Sequence, residues 1–234
     1  MKKIKIGLMI FDIILGLLLL YTWEDRQYTE TIGRPENSVL EVNTEELPPE
    51  SKKIALTFDD GPHFRYTEEL LDGLKARDVP ATFFVTGEHA ALHPDIIRRI
   101  NKEGHLIGNH TYSHIQLTKS NSRLFREELI KTNQILEELI GEEITYVRPP
   151  YGSWDKNLEK DLNMIPVLWT VDPQDWRIAD AAQIAASVVN QTEENDIILM
   201  HDYFEASIDA ALQIVDTLQG EGYVFVTVEE LLFD

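Results

Sequence analysis

The 234-residue chain has no cysteine, which excludes disulfides, thiolate metal sites and a thiol nucleophile. It is also short of positive charge: 21 Lys and Arg stand against 41 Asp and Glu, a formal net charge of −20. Such a surface repels phosphate backbones, so no nucleic acid is expected as a partner. No sequence repeat is visible, and the one long apolar run is confined to the N-terminus. What remains is 43% hydrophobic and 26% charged. That composition and length suit one α/β domain with a substantial core plus a short extra segment.

The N-terminal segment Met1-Lys2-Lys3-Ile4-Lys5 is a basic leader, and Ile6 to Tyr21 is apolar except for Asp12. As a helix that run rises about 24 Å, short of a ~30 Å hydrocarbon core unless Thr22 and Trp23 are included. The lysines place the N-terminus in the cytoplasm. No small-x-small cleavage site follows Leu20, which favours a single-pass membrane anchor over residues 1–23 rather than a cleaved signal peptide. Asp12 counts against a stable span, because an acid at mid-bilayer is costly. The expected location is the extracytoplasmic face of a bacterial membrane, with secretion after cleavage as the alternative. Residues 24–51 carry Gly33, Pro35, Pro48 and Pro49 with little periodicity and read as an extended tether. Residues 52–234 form the expected folded domain.

From Lys53 onward apolar runs alternate with helical patterns. Strands are expected at 54–58, 81–86, 105–109, 144–147, 167–171, 197–200 and 223–227. Helices are expected at 67–77, from Pro94 to before Gly104, and over 122–140, 155–162, 179–189 and 207–218, with Thr67 capping the first. This alternation implies a parallel sheet with an α/β fold. The unusual polar residues all fall just after strands: Asp59 and Asp60, His110 and His114, Arg148, Asp175, and His201. Such positions form the functional face of parallel α/β architectures. Five strand ends contributing at once favour a distorted, incomplete (β/α) barrel of about seven parallel strands.

Adjacent carboxylates in Thr57-Phe58-Asp59-Asp60-Gly61-Pro62 ionise together only beside positive charge, a metal ion or an arginine. Alone, Asp-Asp-Gly is a common turn. His110-Thr111-Tyr112-Ser113-His114 spaces two imidazoles four apart, so one helical turn there would put both rings on one face. Two histidines and an aspartate make a three-ligand set, as in catalytic zinc sites, although the non-haem iron triad has the same composition. Arg148-Pro149-Pro150-Tyr151-Gly152 adds a permanent cation on a proline-stiffened loop. Asp172-Pro173-Gln174-Asp175-Trp176 offers a carboxylate and a large ring, and Leu199-Met200-His201 ends a strand in an imidazole.

In order and spacing, these five stretches resemble the motifs of the polysaccharide deacetylases that share the NodB homology domain, carbohydrate esterase family 4. The resemblance covers residues 53–230 with no departure at a ligand or base position. It implies a divalent metal, zinc with cobalt or similar ions as substitutes, on Asp60, His110 and His114. It also implies Asp59 as general base oriented by Arg148, and His201 as general acid tuned by Asp175. Trp176 and Leu199 would line the acetyl pocket, and the Tyr151 backbone N–H would help hold the oxyanion. The activity so implied is removal of N-acetyl groups from a polysaccharide such as peptidoglycan or chitin. An O-acetyl esterase would use the same residues. A silent sugar-binding module would need neither Asp59 nor His201, and an iron oxygenase would leave Arg148 and His201 without roles.

Overall fold

The computed structural model describes residues 52–233 apart from 157 and 159–161. The expected anchor and tether lie outside the described residues, as does part of the helix expected at 155–162. Among the described residues no helix is long and apolar enough to cross a membrane.

Seven parallel strands form the sheet: β1 (Lys52–Asp59), β2 (Thr82–Val85), β3 (Leu106–Asn109), β4 (Tyr146–Val147), β5 (Ile165–Pro166), β6 (Ile197–His201) and β7 (Tyr223–Val226). Their order is β5-β4-β3-β2-β1-β6, with β7 paired to the first half of β1. The helices are α1 (Tyr66–Lys75), α2 (Gly87–Leu92), α3 (Pro94–Lys102), α4 (Ser122–Ile140), α5 (Ala181–Val189), α6 (Glu205–Gly220) and α7 (Val228–Phe233).

β1 is central because Ile54 to Asp59 is buried throughout, as expected of a parallel strand covered on both faces. α1 turns Leu70, Leu71 and Leu74 inward, and α3, opened by Pro94, buries Ile96, Ile97 and Ile100. α4 buries Phe125, Leu129 and Leu136. It stops at Gly141, whose φ of +76° disfavours any residue with a Cβ.

Three expectations need correction. Thr67 does not cap α1. Its hydroxyl accepts from the His63 N–H at 2.7 Å and donates to Asp202 at 2.5 Å. The fifth strand is Ile165–Pro166, not 167–171. The carbonyls of Val167 and Leu168 accept from the Arg148 guanidinium, at 3.2 Å each, and are diverted from a ladder. Pairing resumes only at the single Val171–Ile198 bridge, so the barrel is closed at that point alone between β5 and β6. Finally, residues 110–114 are not a helical turn: Thr111 and His114 have φ of +62° and +56°.

Candidate active site

β1 carries Thr57 and Asp59 on one face, since side chains two apart along a strand point the same way. Arg148 Nη1 donates to both, at 2.6 Å to Thr57 Oγ1 and 2.8 Å to Asp59 Oδ1. The guanidinium lies 4.2 Å over the Phe84 ring and is fully buried, as Asp59 nearly is. Burial pushes the Arg148 guanidinium down from its ordinary range, and the Asp59 charge opposes that. Arg148 Nε and Nη2 donate further to the carbonyls of Val167 and Leu168, at 3.2 Å each, the kind of additional pairing a buried cation requires.

Asp60 turns the other way. Its φ is +74°, a conformation that short polar residues tolerate best, and its carbonyl takes a 2.7 Å hydrogen bond from His89 Nδ1. The carboxylate then faces the two imidazoles: Asp60 Oδ1 is 3.4 Å from His110 Nε2 and 3.3 Å from His114 Nε2. His110 is oriented from behind, with Nδ1 2.6 Å from the Arg148 carbonyl. That contact makes Nδ1 the protonated nitrogen and leaves the Nε2 lone pair free for a cation. Burial alone would raise the Asp60 carboxyl, but the facing imidazoles of His110, His114 and His201 pull it down to about 2.

Asp60, His110 and His114 offer donor atoms within 4.8 Å of one another. Asp60 Oδ1 is buried without a hydrogen-bond partner, and a buried oxygen of that kind is costly unless something positive meets it. Two imidazole nitrogens and one carboxylate oxygen are the donors a divalent ion of the zinc type takes, with room for further oxygen ligands. The residues fit the metal.

His201 approaches from the end of β6, its Nε2 4.0 Å from Asp60 Oδ2. Asp175 holds it twice, accepting from the His201 backbone N–H at 2.9 Å and pairing with Nδ1 at 2.8 Å. Burial would lower the imidazole, yet Asp175, with Asp59 and Asp60 behind it, raises it to about 9. All seven expected catalytic and ligand side chains therefore meet at one end of the sheet.

The three expected substrate contacts are more peripheral. Tyr151 has a φ of +60° and presents its ring edge-on to His114, 5.0 Å between centroids. Trp176 is exposed on the turn just after Asp175, and Leu199 is buried in β6 beside Thr57. A cleft of 220 Å³ opens beside the triad, lined by Asp60, Thr86, His89, His114, Tyr203 and Phe204. Sequence reading assigned no part to Thr57 or His89. The signal for Thr57 was present in its two-residue spacing from Asp59; for His89, 29 residues beyond Asp60, there was none.

A family model described as polysaccharide deacetylase matches residues 46–167. A peptidoglycan-N-acetylmuramic acid deacetylase of Bacillus subtilis, PdaC, is 39% identical over 85% of this chain and 43% of its own length. A peptidoglycan-N-acetylglucosamine deacetylase of Bacillus cereus is 40% identical over 79% of this chain and 70% of its own length. The solved structure of PdaC superposes with a TM-score of 0.75 at 40% identity, covering 78% of this chain and 91% of that one. The chain belongs to the polysaccharide deacetylase family, whose NodB homology domain its fold reproduces. These two relatives are named as peptidoglycan deacetylases, a third, of Rhizobium leguminosarum, as a chitooligosaccharide deacetylase, and the chain spans less than half the length of the Bacillus subtilis protein.

Proposed function

We propose that this chain is a metal-dependent hydrolase that removes N-acetyl groups from the amino sugars of peptidoglycan, with N-acetylglucosamine its preferred residue. The observation that carries this reading is the separation of two devices around one point. A metal-ligand triad faces Asp59 on its Arg148 support, and an independent His201–Asp175 pair stands 4.0 Å from Asp60. Ester cleavage with a good leaving group needs little protonation, whereas amide hydrolysis must protonate a poor leaving amine. A histidine held protonated by a buried carboxylate suits the amide.

Asp60, His110 and His114 would hold the cation, zinc in our reading. When bound it supplies Lewis-acid polarisation of the acetyl carbonyl and lowers the pKa of water. Asp59, paired with Arg148 at 2.8 Å, takes the proton from the attacking water. The Tyr151 N–H, turned by its left-handed backbone, serves the oxyanion. His201 Nε2–H delivers its proton to the departing nitrogen, while Asp175 keeps Nδ1–H engaged and the ring in one tautomer. Leu199 and Trp176 bound the acetyl methyl. The products are acetate and a free amino sugar.

The relatives differ in the sugar they are named for. The muramic residue carries a bulky lactyl branch that N-acetylglucosamine lacks, and this supports the latter as the better fit. The proposed location is the outer face of the cytoplasmic membrane, on a 1–23 anchor and a 24–51 tether ahead of the 52–234 domain. The strongly acidic surface does not favour anionic wall polymers. Cell walls from cells with and without this chain, digested and analysed by mass spectrometry for free amino sugars, test the proposal. Unchanged acetylation, with good activity of the purified full chain on chitin oligomers or acetylated xylan, would move the substrate to an exogenous polysaccharide.

A further inference from the structure

His114 reaches the triad from a loop with little intrinsic preference for its shape. Thr111 and His114 both have positive φ without being glycine, each a conformation that persists only where the surroundings enforce it. Between them lie Tyr112 and Ser113, and one side chain from α4 gathers both. Glu128 Oε2 accepts from the Tyr112 N–H at 3.1 Å and the Ser113 N–H at 2.9 Å, and Glu128 Oε1 accepts from the Ser113 hydroxyl at 2.6 Å. One turn further along α4, Lys131 Nζ lies 3.1 Å over the Tyr112 ring. On the opposite side the carbonyls of Thr111 and Tyr112 accept from Gly87 and Glu88, the first N–H groups of α2.

We infer that Glu128 is a positioning residue for the metal centre, fixing the 110–114 loop so that His110 and His114 present Nε2 to one cation. Glu128 touches neither ligand. It acts through three hydrogen bonds on Tyr112 and Ser113, two of the three residues between them. A carboxylate that accepts from charge-free N–H and O–H groups, with no Arg or Lys hydrogen-bonded to it among the described residues, is placed for geometry rather than for ion pairing. Outer partners of this kind hold ligand rings in register, and their loss lowers metal affinity by about 10–100-fold. The inference rests on the reading of Asp60, His110 and His114 as metal ligands.

The test is the affinity of the purified full chain for Zn²⁺ and Co²⁺, measured by chelator competition, together with the visible absorption of the Co²⁺ form. Glu128→Ala should weaken both affinities about 10–100-fold and change the Co²⁺ spectrum. Glu128→Gln should recover affinity to within about threefold, because its carbonyl can accept both N–H groups while its amide donates to Ser113 Oγ. Ser113→Ala, which keeps two of the three bonds, should fall between Glu128→Ala and the unaltered chain, and it carries the test if Glu128→Ala does not fold. Wild-type affinity in Glu128→Ala or in Ser113→Ala overturns the inference. So does a Glu128→Gln protein as weak as Glu128→Ala, since charge and not hydrogen bonding would then be responsible. A chain that binds no divalent metal in its unaltered form would instead overturn the metal-ligand reading, and the inference with it.

Discussion

Asp175 grips His201 with both carboxylate oxygens, one on the backbone N–H and one on Nδ1, at 2.9 and 2.8 Å. The ring can neither rotate nor change tautomer without breaking a charge-assisted bond in a buried place. The same contact sets when the imidazole loses its proton, and this gives the first prediction. A general acid must be protonated, so the rate should fall as pH rises through the His201 pKa, which lies at about 9. A cation bound at Asp60 opposes that rise, placing the limb of the loaded enzyme lower. Asp175→Asn removes the anion and should move the alkaline limb of kcat down by roughly 1–2 pH units, the usual effect of one close opposite charge. A pH–rate profile whose alkaline limb stays in place would show that His201 is not the titrating acid.

Asp59 and Asp60 are neighbours for which separate duties are proposed. Asp60→Ala should abolish stoichiometric metal, read by elemental analysis. Asp59→Asn should keep the metal and lower kcat at least about 100-fold, the scale of general-base loss. It should also lower the melting temperature, because Arg148 is left buried without its counter-charge. Equal metal loss in both variants would contradict the division.

His105 is predicted to make stability fall in mild acid. It is 5% exposed, and its Nδ1 accepts the Ala81 N–H at 3.1 Å, so that nitrogen is unprotonated in the fold. Burial lowers its pKa from 6.5 to about 4. The unfolded chain therefore binds the proton first. The stability contributed by the neutral ring is intact above pH 6.5, is lost as pH falls from 6.5 toward about 4, and changes no further below that. The full loss is on the order of 3 kcal/mol, and about 2 kcal/mol of it is reached by pH 5. Urea denaturation at pH 7.5 and pH 5 should show it. His105→Asn, whose carbonyl can accept the same N–H without titrating, should flatten the difference.

Gly61→Ala should lower stability by about 1–3 kcal/mol, the cost of overpacking. A Cβ at Gly61 would run into the Asp202 carboxylate, itself fully buried. Gly61→Ala combined with Asp202→Gly should regain part of the loss in chemical denaturation. If the double variant is less stable than Gly61→Ala by the full cost of Asp202→Gly alone, crowding is not the cause.

That glycine also shows where sequence reading reached its limit. Asp-Asp-Gly-Pro reads as a turn, and Gly61 does follow the end of β1, but it is required by the side chain behind it, 141 residues along the chain. The residues proposed for catalysis and metal binding were legible because most of them follow strand ends, where a parallel sheet gathers distant residues without further information. Their supports were not. Glu128, His89 and Thr67 act through contacts that periodicity does not encode, and the left-handed loop at 110–114 looks like a helical turn to any rule based on spacing. The fifth strand was misplaced for a related reason: Val167–Val171 has strand composition, but a side chain from β4's end occupies its carbonyls.

Arg148 is in effect a rivet through the wall of the barrel. The same planar group that neutralises Asp59 also fastens the chain at Val167 and Leu168 where regular pairing lapses. A lysine could supply the charge but not the several fixed directions, and an alanine would supply neither. Replacing Arg148 to abolish the proposed activity would therefore release a stretch of wall as well. A catalytically dead yet correctly shaped control, for crystallising a bound glycan or for separating scaffold effects from turnover in cells, belongs at Asp59 instead.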